Sequence, residues 1–115
     1  MVVTFKSREF NKIEEYLMTI SKDALSVKDI EDGEKITVTG YLEYEDTNSK
    51  GEDVRILSII TPEKKVYSTQ SETFKESIRN MAGLMGGENF TIIKKSGTTK
   101  AGRPYVDCSL DTSNM

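Results

Sequence analysis

The stretch Glu34–Asp46, "EKITVTGYLEYED", carries the clearest strand pattern in the chain. Alternation puts Ile36, Val38, Leu42 and Tyr44 on one face and Lys35, Thr37, Thr39 and Tyr41 on the other. Gly40 interrupts the pattern, and a glycine inside a strand marks a bulge or a sharp bend at a barrel corner. The turn "DTNSKGED" follows. "VRILSIITP" then supplies a partner strand that ends at Pro62, because proline has no N–H for the ladder. Apolar residues fall on both faces of this partner, which places it in the middle of a sheet.

Upstream, "SREFNKIEEYLMTI" (residues 7–20) holds two periodicities at once. Phe10, Ile13, Leu17 and Ile20 recur at helical spacing, whereas Tyr16, Met18 and Ile20 share one strand face. The reading taken is a strand over Ile13–Ile20. A polar run ending at Asp32–Gly33 is a turn. Downstream of Pro62, "KKVYSTQ" leads into a helix with capping-box spacing at Thr73 and Glu76. Phe74, Ile78, Met81, Ala82 and Met85 form its core-facing stripe, and Gly86–Gly87 stop it. "NFTIIKKS", "GTTKAG" and "RPYVDCSL" make a closing hairpin with Val106, Cys108 and Leu110 inward.

Three strands, a helix and a hairpin are the order of an OB-fold, a mostly β, five-stranded Greek-key barrel with one helix between strands 3 and 4. Another small α+β sheet has the same order. With 115 residues and no linker or repeat, the chain reads as one domain over residues 1–115, its flexibility expected at the N-terminus and the C-terminal end.

Composition excludes much chemistry. There is no histidine and one cysteine, Cys108, so the common zinc sites and histidine-dependent catalysis are out of reach. The expectation is a non-enzyme with no metal and no cofactor. A lone cysteine, no apolar h-region and no long apolar run fit a cytoplasmic protein, in the host cell if the chain is viral, without membrane contact. "GTTKAGRP" has neither the spacing nor the Lys-Ser/Thr of a Walker loop, and a strand rather than a helix follows it.

The net charge is −3, but it is unevenly spread. Residues 1–61 hold eight basic against thirteen acidic side chains, while residues 62–115 hold eight against six. Local potential decides whether phosphates are met. Tyrosines are interleaved with the basic residues: Tyr41, Tyr44, Tyr67 after Lys64 and Lys65, and Tyr105 after Arg103. Bases of any identity stack on tyrosine while lysine and arginine follow the backbone. The competing explanation is that tyrosines are good strand formers, half-buried with wet hydroxyls.

Taken together, "DGEKITVTGYLEY", "VYSTQSETFKESIRNMAGLM" and "ENFTIIKKSGTTKAGRPYVDCSL" resemble the small single-stranded DNA-binding proteins of protein-primed, short-tailed phages of Gram-positive bacteria. The resemblance covers nearly the whole chain in pattern and spacing. It implies an OB-fold that coats strands displaced during phage DNA replication, with a replication polymerase as further partner. It also implies that Tyr44, Tyr67 and Tyr105 stack on bases. "DTNSKGED" lacks the aromatic residue that the family can place between strands 2 and 3.

The expected site is therefore Tyr44, Tyr67, Tyr105 and Tyr41 for stacking. Lys64, Lys65, Lys94, Lys95, Lys100, Arg103 and Arg55 are the expected phosphate contacts. The protein would act as a monomer or with weak self-association. The alternatives are RNA binding by the same surface, or a protein-interaction module such as a phage-encoded inhibitor of a host enzyme.

Overall fold

The computed structural model describes residues 1–113; the expected loose C-terminal end at residues 114 and 115 lies outside them. In chain order the elements are β1 (Val2–Lys6), α1 (Lys12–Thr19), β2 (Leu25–Ser26), β3 (Lys35–Val38), β4 (Gly40–Thr47) and β5 (Asp53–Ile60). β6 (Val66–Thr69), α2 (Glu72–Met85), β7 (Phe90–Thr98) and β8 (Pro104–Leu110) complete them. The fold is mostly β, in two sheets of strand order β1-β4-β5-β6-β2 and β3-β7-β8.

The stretch around Gly40 changes sheets. β3 pairs with β7, and one residue later β4 pairs with β5 and β1. Thr39 holds the corner: its N–H and its hydroxyl both donate to the Ile60 carbonyl, at 2.9 and 3.0 Å. Gly40 is needed for close approach, since a Cβ there would meet Phe10 Cε1 at 2.8 Å and Arg8 Nε at 2.9 Å. The corner overturns the expectation that Ile36, Val38, Leu42 and Tyr44 share one face. Ile36 and Val38 join Tyr41 in one core, whereas Leu42 and Tyr44 join a second. β5 is central as expected, with Leu57 and Ile59 in the first core and Ile60 in the second.

Residues 13–20 are not a strand. Residues 13–19 belong to α1 and Ile20 is its C-cap, because Asn11 and Glu14 form a reciprocal capping box: Glu14 N–H to Asn11 Oδ1 at 2.8 Å, and Asn11 N–H to Glu14 Oε1 at 3.1 Å. The helix buries Glu14 and Met18, with Leu17 beside Met18 in the second core, whereas Ile13 and Ile20 of the expected helical stripe are exposed; the capping box rather than that stripe marks the helix. The cap of α2 is likewise Ser71, not Thr73, with Ser71 Oγ accepting from Phe74 N–H at 3.3 Å. The rest of the α2 reading holds: Phe74 and Ile78 are buried, Met81, Ala82 and Met85 pack against the first core, and Gly86 ends the helix at φ +62°.

β7 and β8 form the expected hairpin, turned by Thr99–Gly102 with Gly102 at φ +81°. Cys108 is buried, and Val106 and Leu110 pack against the first core. Among the described residues no ladder joins β6 to β8. The seam there is crossed by a Ser71 hydroxyl donating to the Val106 carbonyl at 3.4 Å. No helix of the structure is long and apolar enough to cross a membrane.

Candidate nucleic-acid interface

The open seam widens into a cleft of about 1160 Å³. Ser68, Thr69, Gln70, Ser71 and Thr73 line it from β6 and the start of α2. The β7–β8 hairpin forms one wall, with Lys94, Ser96, Gly97 and Thr98 from β7 and Pro104, Tyr105 and Val106 from β8, and Thr19, Ser21, Ala24, Ser26 and Lys28 with Tyr44 and Ile56 form the other. Nine of its nineteen lining residues are serine or threonine, two are lysines (Lys28 and Lys94), and none is a carboxylate. In a chain with nineteen acidic residues the lining carries no negative charge of its own, and the hydroxyls of Ser21, Ser26, Thr69, Thr73 and Thr98, not engaged as donors among the described residues, can donate to phosphate oxygens.

Tyr105 is the aromatic residue exposed in the cleft. It faces Gly97 across the β7–β8 ladder, and a Cβ on Gly97 would meet Tyr105 Oη at 2.5 Å. The ring thus lies on bare glycine backbone and keeps 39% of its surface exposed. The other three expected stackers, Tyr41, Tyr44 and Tyr67, are 5–6% exposed, which corrects the expectation that they present faces to bases. Tyr41 stacks on Phe5, with centroids 5.3 Å apart, and packs in the first core. Tyr67 is in the same core, with Lys65 Nζ 5.8 Å from its ring centroid. Tyr44 edges the cleft but belongs to the second core, and its hydroxyl donates to the Thr19 carbonyl at 3.3 Å. Burial pushes the phenols of Tyr41 and Tyr44 above their ordinary value. Aromatic residues on a strand pack wherever a core needs volume, and the corner at Gly40 supplies a core on each side of β4.

The basic residues divide in the same way. Lys94 lines the cleft, but its side chain is 6% exposed and its ammonium is bound to Asp32 at 2.9 Å. Lys95 is exposed on the opposite face of β7; Lys100 and Arg103 are exposed at and beside the hairpin tip. Lys64, Lys65 and Arg55 lie outside the cleft lining. Lys64 bonds Glu14 at 2.8 Å, and Arg55 pairs with Glu45 at 3.2 Å. Lys64, the Asn11 N–H and Arg8 together hold the buried Glu14 carboxyl down to about 2. These contacts pin α1 to the Thr61–Lys65 turn and to the segment before α1.

Sequence reasoning missed Lys28 and the hydroxyls. The run "YSTQSET" did signal them, since it supplies Ser68, Thr69, Gln70, Ser71 and Thr73 to the lining. Among the described residues no group of three histidine, cysteine or acidic side chains is placed to hold a metal. No protein-family model matches the chain, and no curated protein or solved structure matches it significantly.

Proposed function

We propose that this chain is a non-enzymatic, largely sequence-independent single-stranded DNA-binding protein that coats unwound strands during phage DNA replication. The observation that carries the reading is the hydroxyl-lined cleft with Tyr105 exposed in its wall, no carboxylate among its lining residues and Asp32 at its margin, on a chain whose net charge is −3. Tyr105 supplies a stacking platform. The cleft hydroxyls, Lys28 and the hairpin-tip cations Lys100 and Arg103 follow the backbone, while Lys95 points away from the cleft. The replication setting and the polymerase partner come from the family resemblance.

The proposed architecture is an OB-type barrel left open at one seam. Its strands differ from the expected set, since residues 13–20 form α1 and its C-cap and supply none: they are the bent β3–β4 unit, β5, β6, β7 and β8, with α2 between β6 and β7. Pairing of β3 with β7 and of β4 with β5 supports this reading, as does the cleft's place beside β6 and the last hairpin. OB-folds bind oligonucleotides on the face of strands 2 and 3 between flanking loops.

Titrating oligo-dT at rising salt, followed by anisotropy, tests the proposal. Log K should fall linearly with log salt, by about 0.7 per phosphate contacted. No binding at low salt overturns it. A protein-interaction role has one observation in its favour: Ile13, Tyr16 and Ile20 are exposed at i, i+3 and i+7 on α1 and its C-cap. That role predicts no response to oligo-dT.

A further inference from the structure

Lys94 and Ser96 already hold an anion that the chain itself supplies. Both lie on one face of β7, two residues apart, and both line the cleft. Lys94 Nζ donates to Asp32 Oδ1 at 2.9 Å, and Ser96 Oγ donates to Asp32 Oδ2 at 2.6 Å. The Asp32 side chain is 56% exposed, so the carboxylate stands between a buried ammonium and solvent. Backbone bonds fix its position: Gly33 N–H to the Lys94 carbonyl at 2.8 Å, and Lys94 N–H to the Glu34 carbonyl at 3.0 Å. An ammonium on one oxygen and a hydroxyl on the other is also how a phosphodiester's two free oxygens are held.

We infer that Lys94 and Ser96 form an anion site at the cleft margin in which the Asp32 carboxylate takes the place of a backbone phosphate, so that Asp32 restrains the affinity of the cleft for single strands. The inference rests on the proposed binding of a strand in that cleft. Asp32 deprives the strand of its most buried cation, and removing its charge returns that cation to a phosphate. A merely structural ion pair would only tie the turn before β3 to β7.

Asp32→Asn keeps the shape and an oxygen that still accepts from Lys94. It should bind oligo-dT roughly three- to tenfold more tightly at low salt, with a salt slope steeper by about 0.7. In a Lys94→Gln background the gain should vanish, which a double-mutant cycle reads directly. Glu31→Gln, on the same turn, removes an equal charge and should show no coupling to Lys94. Unchanged or weaker binding by a folded Asp32→Asn overturns the inference, as does a gain that survives Lys94→Gln.

A second measurement uses no nucleic acid. Inorganic phosphate added to isotope-labelled Asp32→Asn should shift the amide resonances of Lys94–Ser96 at lower concentration than in the unsubstituted protein. Absence of those shifts overturns the anion site. Their presence without any oligo-dT binding leaves the anion site standing and overturns the single-strand reading alone.

Discussion

Replacing Tyr105 separates stacking on a base from packing within the hairpin. The ring lies on Gly97, its cross-strand partner, and keeps 39% exposure. A cross-strand pair is worth about 0.2–1 kcal/mol, so Tyr105→Ala should cost no more than about 1 kcal/mol of stability. A stacked base is worth about 1–3 kcal/mol, which is roughly 5- to 150-fold in Kd. The effect on affinity should therefore exceed the effect on folding. Anisotropy with labelled oligo-dT, read beside thermal unfolding, measures both. Tyr105→Phe keeps the π face and should bind within about twofold of the unsubstituted protein. Tyr105→Leu covers Gly97 but offers no π face, so it should fall with alanine. The loss should be similar for oligo-dT, oligo-dC and mixed sequences, since every base has a face to stack. A folded Tyr105→Ala with unchanged affinity refutes the stacking role; Tyr105→Leu binding as well as tyrosine would show that contact area alone was at work.

Tyr67 is buried in the first core, so Tyr67→Ala should lose about 3–5 kcal/mol of stability in urea denaturation. Tyr67→Leu should retain oligo-dT affinity, and a drop as large as that of Tyr105→Leu would put Tyr67 on the binding face instead. Glu14 titrates at about 2 in the fold against an ordinary 4.5, with Lys64 as the largest cause. A depressed folded value means stability that is complete above the unfolded pKa and lost as pH falls towards the folded one. Between about pH 5 and about pH 2 the unsubstituted protein should thus lose more stability than Glu14→Gln, and equal slopes in chemical denaturation would exclude this account. Burial, and then the charge of Asp107, push the Cys108 thiol up to about 12. Native protein should resist iodoacetamide at about pH 8 and react once unfolded, whereas prompt native alkylation would mean that the thiol is accessible.

Much of the scaffold was legible because its signals are local. The two strands either side of Gly40, the two-faced apolarity of β5, the α2 stripe and the glycine turns all appear where their residues place them, although the faces of β3 and β4 do not run on across the corner. The readings that failed involve competition between local signals. In α1, Asn11 and Glu14 offered a capping box inside a segment that also alternates, and the second core decided for helix through Met18 and Leu17. In α2 the cap falls on Ser71, two residues before the expected Thr73, since serine and threonine both cap helices and the two lie within one turn of each other.

The candidate site was less legible, because exposure is not a local property. Tyr41, Tyr44, Tyr67 and Tyr105 all sit on strands, and only packing separates the three buried rings from the exposed one. The sequence by itself determined the strand periodicities, the helix of the second half, its glycine stop and the bend at Gly40, since each arises from residues within a few positions of one another. Only the tertiary structure decided that the bend sends Ile36 and Leu42 into different cores and leaves a seam between β6 and β8. It also brought Lys94 against Asp32, sixty-two residues apart. Those outcomes depend on which backbone edges pair and which faces meet across the chain, and no local pattern encodes the partner of an edge.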